Sequence, residues 1–137
     1  MNRTLAIGLF SGTDDRLNAA AVLIAGAAAL GRPVHVFLQY WALAAFRAAI
    51  IDEDHGLAPE AGAAGADAVH RLARLGQASW AETLRQAKEI GQVEIQACSL
   101  SMDLFELEAD DLDPLVDGVE GVTAFWLAAS DADVLFI

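Results

Sequence analysis

The chain has 137 residues and a mass of 14.4 kDa, with 55% hydrophobic residues, 20% charged residues and a mean hydropathy of +0.39. This is one domain's worth of chain, too apolar for disorder, and its lone cysteine, Cys98, excludes an intramolecular disulfide scaffold. Eight basic against 20 acidic residues give a net charge of −12, which repels phosphate backbones and anionic membrane surfaces and excludes nucleic acid as a partner.

In chain order, Thr4 to Phe10 is a short apolar run stopped by Ser11-Gly12, and it predicts a buried strand. Asp14 to Leu30 is alanine-rich and ends at Gly31 with Pro33 beyond, the stop signals of a helix. Its apolar stretch, Leu17 to Leu30, falls short of the roughly 20 residues a membrane span needs. Val34 to Leu38 predicts a second strand, with Gln39-Tyr40-Trp41 as its exit, and Ala42 to Ile51 predicts a helix. Asp52 to Gly65 carries acids, a proline and glycines, which predicts a flexible surface loop.

Asp67 to Leu75 places Val69, Leu72 and Leu75 on one helical face. Ser79 and Glu82 match a capping box for a helix ending at Gly91. Val93 to Cys98 predicts a third strand, Asp103 to Leu107 a helical turn, and Asp110 to Asp117 an acidic connection. Val119 to Ser130 predicts a helix and Val134 to Ile137 a last short strand. Apolar strands alternating with helices imply a parallel sheet covered on both faces. The expected fold is therefore α/β, a three-layer α/β/α domain with a mostly parallel sheet of four to five strands, spanning residues 1–137 as one unit. No leader segment is visible, so a soluble cytoplasmic protein is expected. So apolar a small chain also predicts a homo-oligomer, since monomers seldom expose large apolar patches.

Functional groups in such sheets gather at the carboxyl ends of the strands. Three ends carry candidates: Ser11-Gly12-Thr13, Tyr40-Trp41, and Cys98 with Ser99 and Ser101. Cys98 becomes a nucleophile if free helix amides or a cation favour its thiolate, and a helix starting near Met102 would supply such amides. A lone cysteine is equally a small buried hydrophobe. Ser11 to Thr13 could present amides to a nucleotide or flavin phosphate, but Asp14 and Asp15 put two negative charges where a phosphate would sit, which favours a helix cap. Tyr40 and Trp41 could wall a pocket around the thiol or serve as core or interface aromatics. His35 is expected as a hydrogen-bonded core residue, His55 in a solvated loop, and His70 on a helix surface. None of these spacings is a metal-ligand set, so neither a metal nor another cofactor is expected.

Together, LAIGLFSGTDD, the alanine-rich helix, G-x-x-V-x-V-F, the aromatic exit and the A-C-x-x-S-M-D segment from Ala97 to Asp103 are similar to the DsrE/DsrF/DsrH-like sulfur-relay family. The resemblance implies a parallel α/β domain assembling into trimers or hexamers. It implies that Cys98 receives sulfane sulfur and passes it on as a persulfide. Ser99, Ser101, Met102 and Asp103 match the surrounding motif without an assigned chemical role. The implied partners are sulfur-carrier or rhodanese-type proteins as donor and acceptor. Beside that reading stands a non-catalytic oligomeric binding module of the same fold with a buried structural cysteine.

Overall fold

The computed structural model describes residues 2–137. Its strands are β1 (Leu5–Leu9), β2 (Val34–Leu38), β3 (Val93–Cys98), β4 (Gly118–Glu120) and β5 (Asp133–Phe136). Its helices are α1 (Asp14–Ala29), α2 (Tyr40–Ala45), α3 (Ala64–Arg74), α4 (Trp80–Ile90), α5 (Ser99–Leu104) and α6 (Val122–Ala128). Short 3₁₀ turns at Pro59–Ala61 and Ala109–Asp111 complete the order. The strands form one sheet in the order β4-β3-β2-β1-β5, and every pairing is parallel.

Strand period sorts the core. Leu5, Ile7 and Leu9 of β1 point to one face, joined by Val34, Val36 and Leu38 of β2 and Ile95 and Ala97 of β3. Against them α1 turns a stripe at helical spacing: Leu17, Ala20, Ala21, Ile24, Ala27 and Ala28. The small residues let α1 lie close to the sheet and to α4, where Trp80, Ala81, Leu84 and Ala87 are buried. Fully burying Leu17 or Ile24 stabilises the fold by about 1.5–3 kcal/mol each. The opposite face is thinner. Ala6, Phe37 and Cys98 pack there with Phe125 and Ala129 at α6 and its end.

The elements expected from sequence are present with shifted bounds, and three of the shifts have a visible structural cause. Instead of running from Ala42 to Ile51, α2 starts at Tyr40 and stops at Ala45. The Ala48 amide bonds to the Asp111 carbonyl at 2.9 Å, and the Phe46 carbonyl accepts from Asp113 at 2.9 Å. Groups that a continuing helix needs are thus taken by the acidic segment. Val119 is in a strand, not a helix. The Asp117 carboxylate accepts the Ile95 amide at 2.8 Å while the Asp117 amide donates to the Ile95 carbonyl at 2.7 Å, which lays 118–120 along β3. The helical turn expected at Asp103 begins at Ser99, because Cys98 is extended and caps it directly.

The expected flexible loop at 52–65 is tied down instead. The Asp14 carboxylate accepts the His55 amide at 3.0 Å, Asp15 accepts from Ala58 at 3.1 Å, and the Gly56 carbonyl accepts the Asp14 amide at 2.9 Å. Half of the capping box expected at α4 forms: Ser79 Oγ accepts the Glu82 amide at 3.2 Å, while the Glu82 carboxylate lies 3.7 Å from Arg85. Among the described residues no helix is long and apolar enough to cross a membrane.

The two faces of α1 separate cleanly by substitution. Ile24→Ala is expected to cost about 2–5 kcal/mol in urea unfolding through its cavity. Val22→Ala, on the exposed side of the same helix, is expected to stay within about 0.5 kcal/mol of the parent.

Candidate functional site

A parallel sheet places all its strand exits at one end, and three candidate segments meet there. Ser101 of α5, itself buried, accepts the Tyr40 amide through Oγ at 3.0 Å. Tyr40 takes a left-handed backbone, φ 46°, to turn straight from β2 into α2, and this bond holds the strained amide. Gly12 approaches the same junction so closely that a Cβ there would stand 2.5 Å from the Trp41 carbonyl oxygen. The Ala42 amide donates to the Phe10 carbonyl at 3.0 Å, closing the exits of β1 and β2 against each other.

Aromatic rings follow the same edge. Phe10 lies 5.4 Å from Tyr40 and 6.0 Å from Phe136, and Trp41 lies 5.8 Å from Phe105, all between ring centroids. Tyr40 and Trp41 are thus engaged with Phe10 and Phe105. Cys98 packs instead with Ala6, Phe37, Phe125 and Ala129. It ends β3 and serves as the extended N-cap of α5, so the first amides of that helix follow it directly. Only 6% of its surface is exposed. Of its motif neighbours, Ser99 and Asp103 are exposed, whereas Met102 is buried in the main core on the other side of the sheet.

Two residues near the thiol were not singled out as site residues from sequence. Glu120 stands opposite Cys98 in the β3–β4 register, and Phe125 covers the thiol's cluster from α6. The sequence signal for Glu120 is weak, since it is one acid among many in an acidic stretch. His35 is the hydrogen-bonded core residue expected. Its Nε2 lies 2.6 Å from Glu120 Oε1 and its Nδ1 3.5 Å from Glu94 Oε2, linking β2 to β4 across β3. Opposite ring nitrogens meet the two carboxylates, so these groups do not converge on one ion. Among the described residues no group of three or more His, Cys, Asp or Glu is arranged to hold a metal.

The Ser11–Thr13 segment leads into α1 with its polar groups already committed. The Asp14 carboxylate accepts the His55 amide and the Trp80 indole N–H, the latter at 2.9 Å. His55, expected in solvent, is half-buried with its ring 5.6 Å from that of Trp80. At Asp15, partial burial raises the carboxyl pKa, but the nearby Thr13 hydroxyl and the amides of Ala58 and Arg16 outweigh it and hold the group below its ordinary value. The Thr13 hydroxyl sits near that carboxylate without meeting hydrogen-bond geometry, and its oxygen is buried. An incoming phosphate would meet two carboxylates and an occupied first amide. The geometry matches a helix start anchored to the 55–58 segment, not an anion cradle.

Gly12→Ala is expected to destabilise the protein by about 1–3 kcal/mol in urea unfolding, because the clashing atoms at Trp41 are backbone and cannot rotate away. Gly26→Ala, in open space within α1, is expected to stabilise it by about 0.5–1 kcal/mol. Since the Asp15 pKa is lowered on folding, its contribution is complete above the ordinary aspartate range and is lost as pH falls through the folded value. Asp15→Asn is therefore expected to flatten the acid limb of the stability–pH curve, measured by thermal melts across pH.

A family model described as the DsrE/DsrF/DrsH-like family matches residues 1–137. A solved structure of a protein of unknown function from Methanobacterium thermoautotrophicum superposes with a TM-score of 0.55, covering 99% of this chain and 100% of that one at 15% identity. That likeness supports the three-layer α/β/α fold. No curated relative matches in sequence. With the family model spanning every residue and the five-strand parallel sheet in place, the chain belongs to the DsrE/DsrF/DrsH-like family.

Proposed function

We propose that the protein is a sulfur relay that carries sulfane sulfur as a persulfide on Cys98 and hands it to a partner thiol. Membership in the family supports a sulfur-relay type of function in general. The observation that carries the finer reading is the place of Cys98. The chain's one thiol ends β3 at the N-cap position of α5, makes no side-chain cap bond there, and lies beneath α6, the single helix on its face of the sheet.

The chemistry is a thiol exchange without net oxidation. The Cys98 thiolate attacks the outer sulfur of a donor persulfide, R–S–SH. A bond from Sγ to that sulfur forms, the donor's S–S bond breaks, and the donor leaves as its thiol. An acceptor thiolate then attacks the outer sulfur of the Cys98 persulfide and regenerates the thiol. Access requires α6 to lift. It has seven residues, of which only Phe125 is buried, so its local opening costs far less than global unfolding. Donor and acceptor belong to the sulfur-carrier or rhodanese type. The chain works as one domain in the cytoplasm. A homo-oligomer, a trimer or hexamer, buries the apolar residues Trp126, Leu127 and Phe136 that one copy leaves exposed.

The burial of Cys98 favours a second reading, an oligomeric binding module whose cysteine only fills space. Intact-mass measurement after incubation with a sulfane-sulfur donor separates the two. The relay predicts a gain of one sulfur atom on the native protein, removable by an added thiol and absent in Cys98→Ser. No gain, with the thiol titrating only after unfolding, establishes the structural module instead.

A further inference from the structure

On the far side of α1 and α4 from the thiol, α3 is only loosely joined to the body. All of its residues except Gly65 are exposed, including Val69 at 46% and Leu72 at 44%. Its sequence nonetheless builds one apolar face, with Gly65, Ala68, Val69, Leu72 and Ala73 at helical spacing. Beyond its buried end at Gly65 that face stays exposed. It overlooks a cavity of about 520 Å³, whose other wall includes Ile51, Leu57 and Trp80. The volume lies in the range of small-molecule sites. The base is tight: a Cβ on Gly65 would fall 2.6 Å from Leu57 Cδ1.

The polar part of the lining is one-signed. Asp14, Asp15, Asp52 and Glu53 line the cavity, and no Lys, Arg or His does. Asp14 is bonded by neutral donors, an amide and an indole N–H, which leave its charge uncompensated. Asp15 likewise receives an amide. Arg16, next to Asp15 in the chain, bonds Glu60 at 2.6 Å, Arg85 divides itself among Asp52, Glu82 and Asp113, and Arg71 and Arg74 of α3 do not line the cavity. An anion entering here meets repulsion, and a wholly apolar body leaves the acids unanswered.

We propose that the cavity beneath α3 binds an amphiphilic cation, an ammonium group on an apolar body, with the body against α3 and the charge among Asp14, Asp15, Asp52 and Glu53. A helix of eleven residues is marginal in water without a packed face, so the ligand's body gives α3 the partner it lacks. The site is independent of the sulfur chemistry and lies on the other face of the sheet.

Calorimetric titration of the full chain with octylamine and with octanoate tests this. Octylamine is expected to bind one per chain, at least about tenfold tighter than octanoate, with slower amide exchange across 64–74. Ala68→Trp, which fills the cavity, and Leu72→Lys, which supplies an internal ammonium, are each expected to abolish that binding. Either variant suffices if the other fails to fold. The proposal is overturned if octylamine does not bind, if octanoate binds equally well, or if the folded variants bind octylamine like the parent.

Discussion

Parallel strands cannot be joined by tight hairpins, and their crossovers run right-handed because a right-twisted strand followed by a helix packs back onto the sheet only that way. In this sheet the chain steps from β1 to β2, β3 and β4 in one direction, then returns past them to place β5 beside β1. Three crossovers in one direction put α1 through α5 on a single face. Only the return crossover, carrying α6, reaches the other. The asymmetry of the core follows. The large apolar cluster lies under α1 and α4, and the five-residue cluster holding Cys98 lies under α6.

This handedness also places the functional groups. Met102 and Cys98, four residues apart, end on opposite sides of the sheet because β3 leads directly into α5 on the thick side while the cysteine side chain points to the thin one. Where cover is thin, Trp126, Leu127, Val134 and Phe136 are left exposed. The thick side carries a different surplus. Its crossover from β2 to β3 is long enough to hold α2, α3 and α4, and α3 is displaced outward with a cavity beneath it.

Much of this was legible in the residues. The bounds of β2 and β3 match the sequence reading residue for residue, because short apolar runs between Gly, Pro and polar stops leave little ambiguity. The start of α1 at Asp14 was equally clear from its acids and alanines. Hidden from sequence were features made by contacts distant along the chain. Asp111 and Asp113 end α2 by pairing with Ala48 and Phe46. Asp117 converts a predicted helix start into β4 through Ile95. Asp14 and Asp15 read as helix-start acids, but they also fasten a segment more than forty residues later. The position of Cys98 at a strand end was readable. Its packing against Phe125 was not, because nothing local in either segment announces the other.

The pairing of β1 with β5 has a consequence for how the chain is made. Leu5 through Gly8 meet Asp133 through Phe136, the widest separation of any strand pair here. During synthesis β1 can acquire β2 early, but its other edge stays unpaired until residues 133–136 leave the ribosome. An open apolar edge is a template for association with other chains, and contacts so distant in sequence form slowly. The most exposed moment for this protein is therefore the interval before β5 emerges, with four strands assembled and one side of β1 still open.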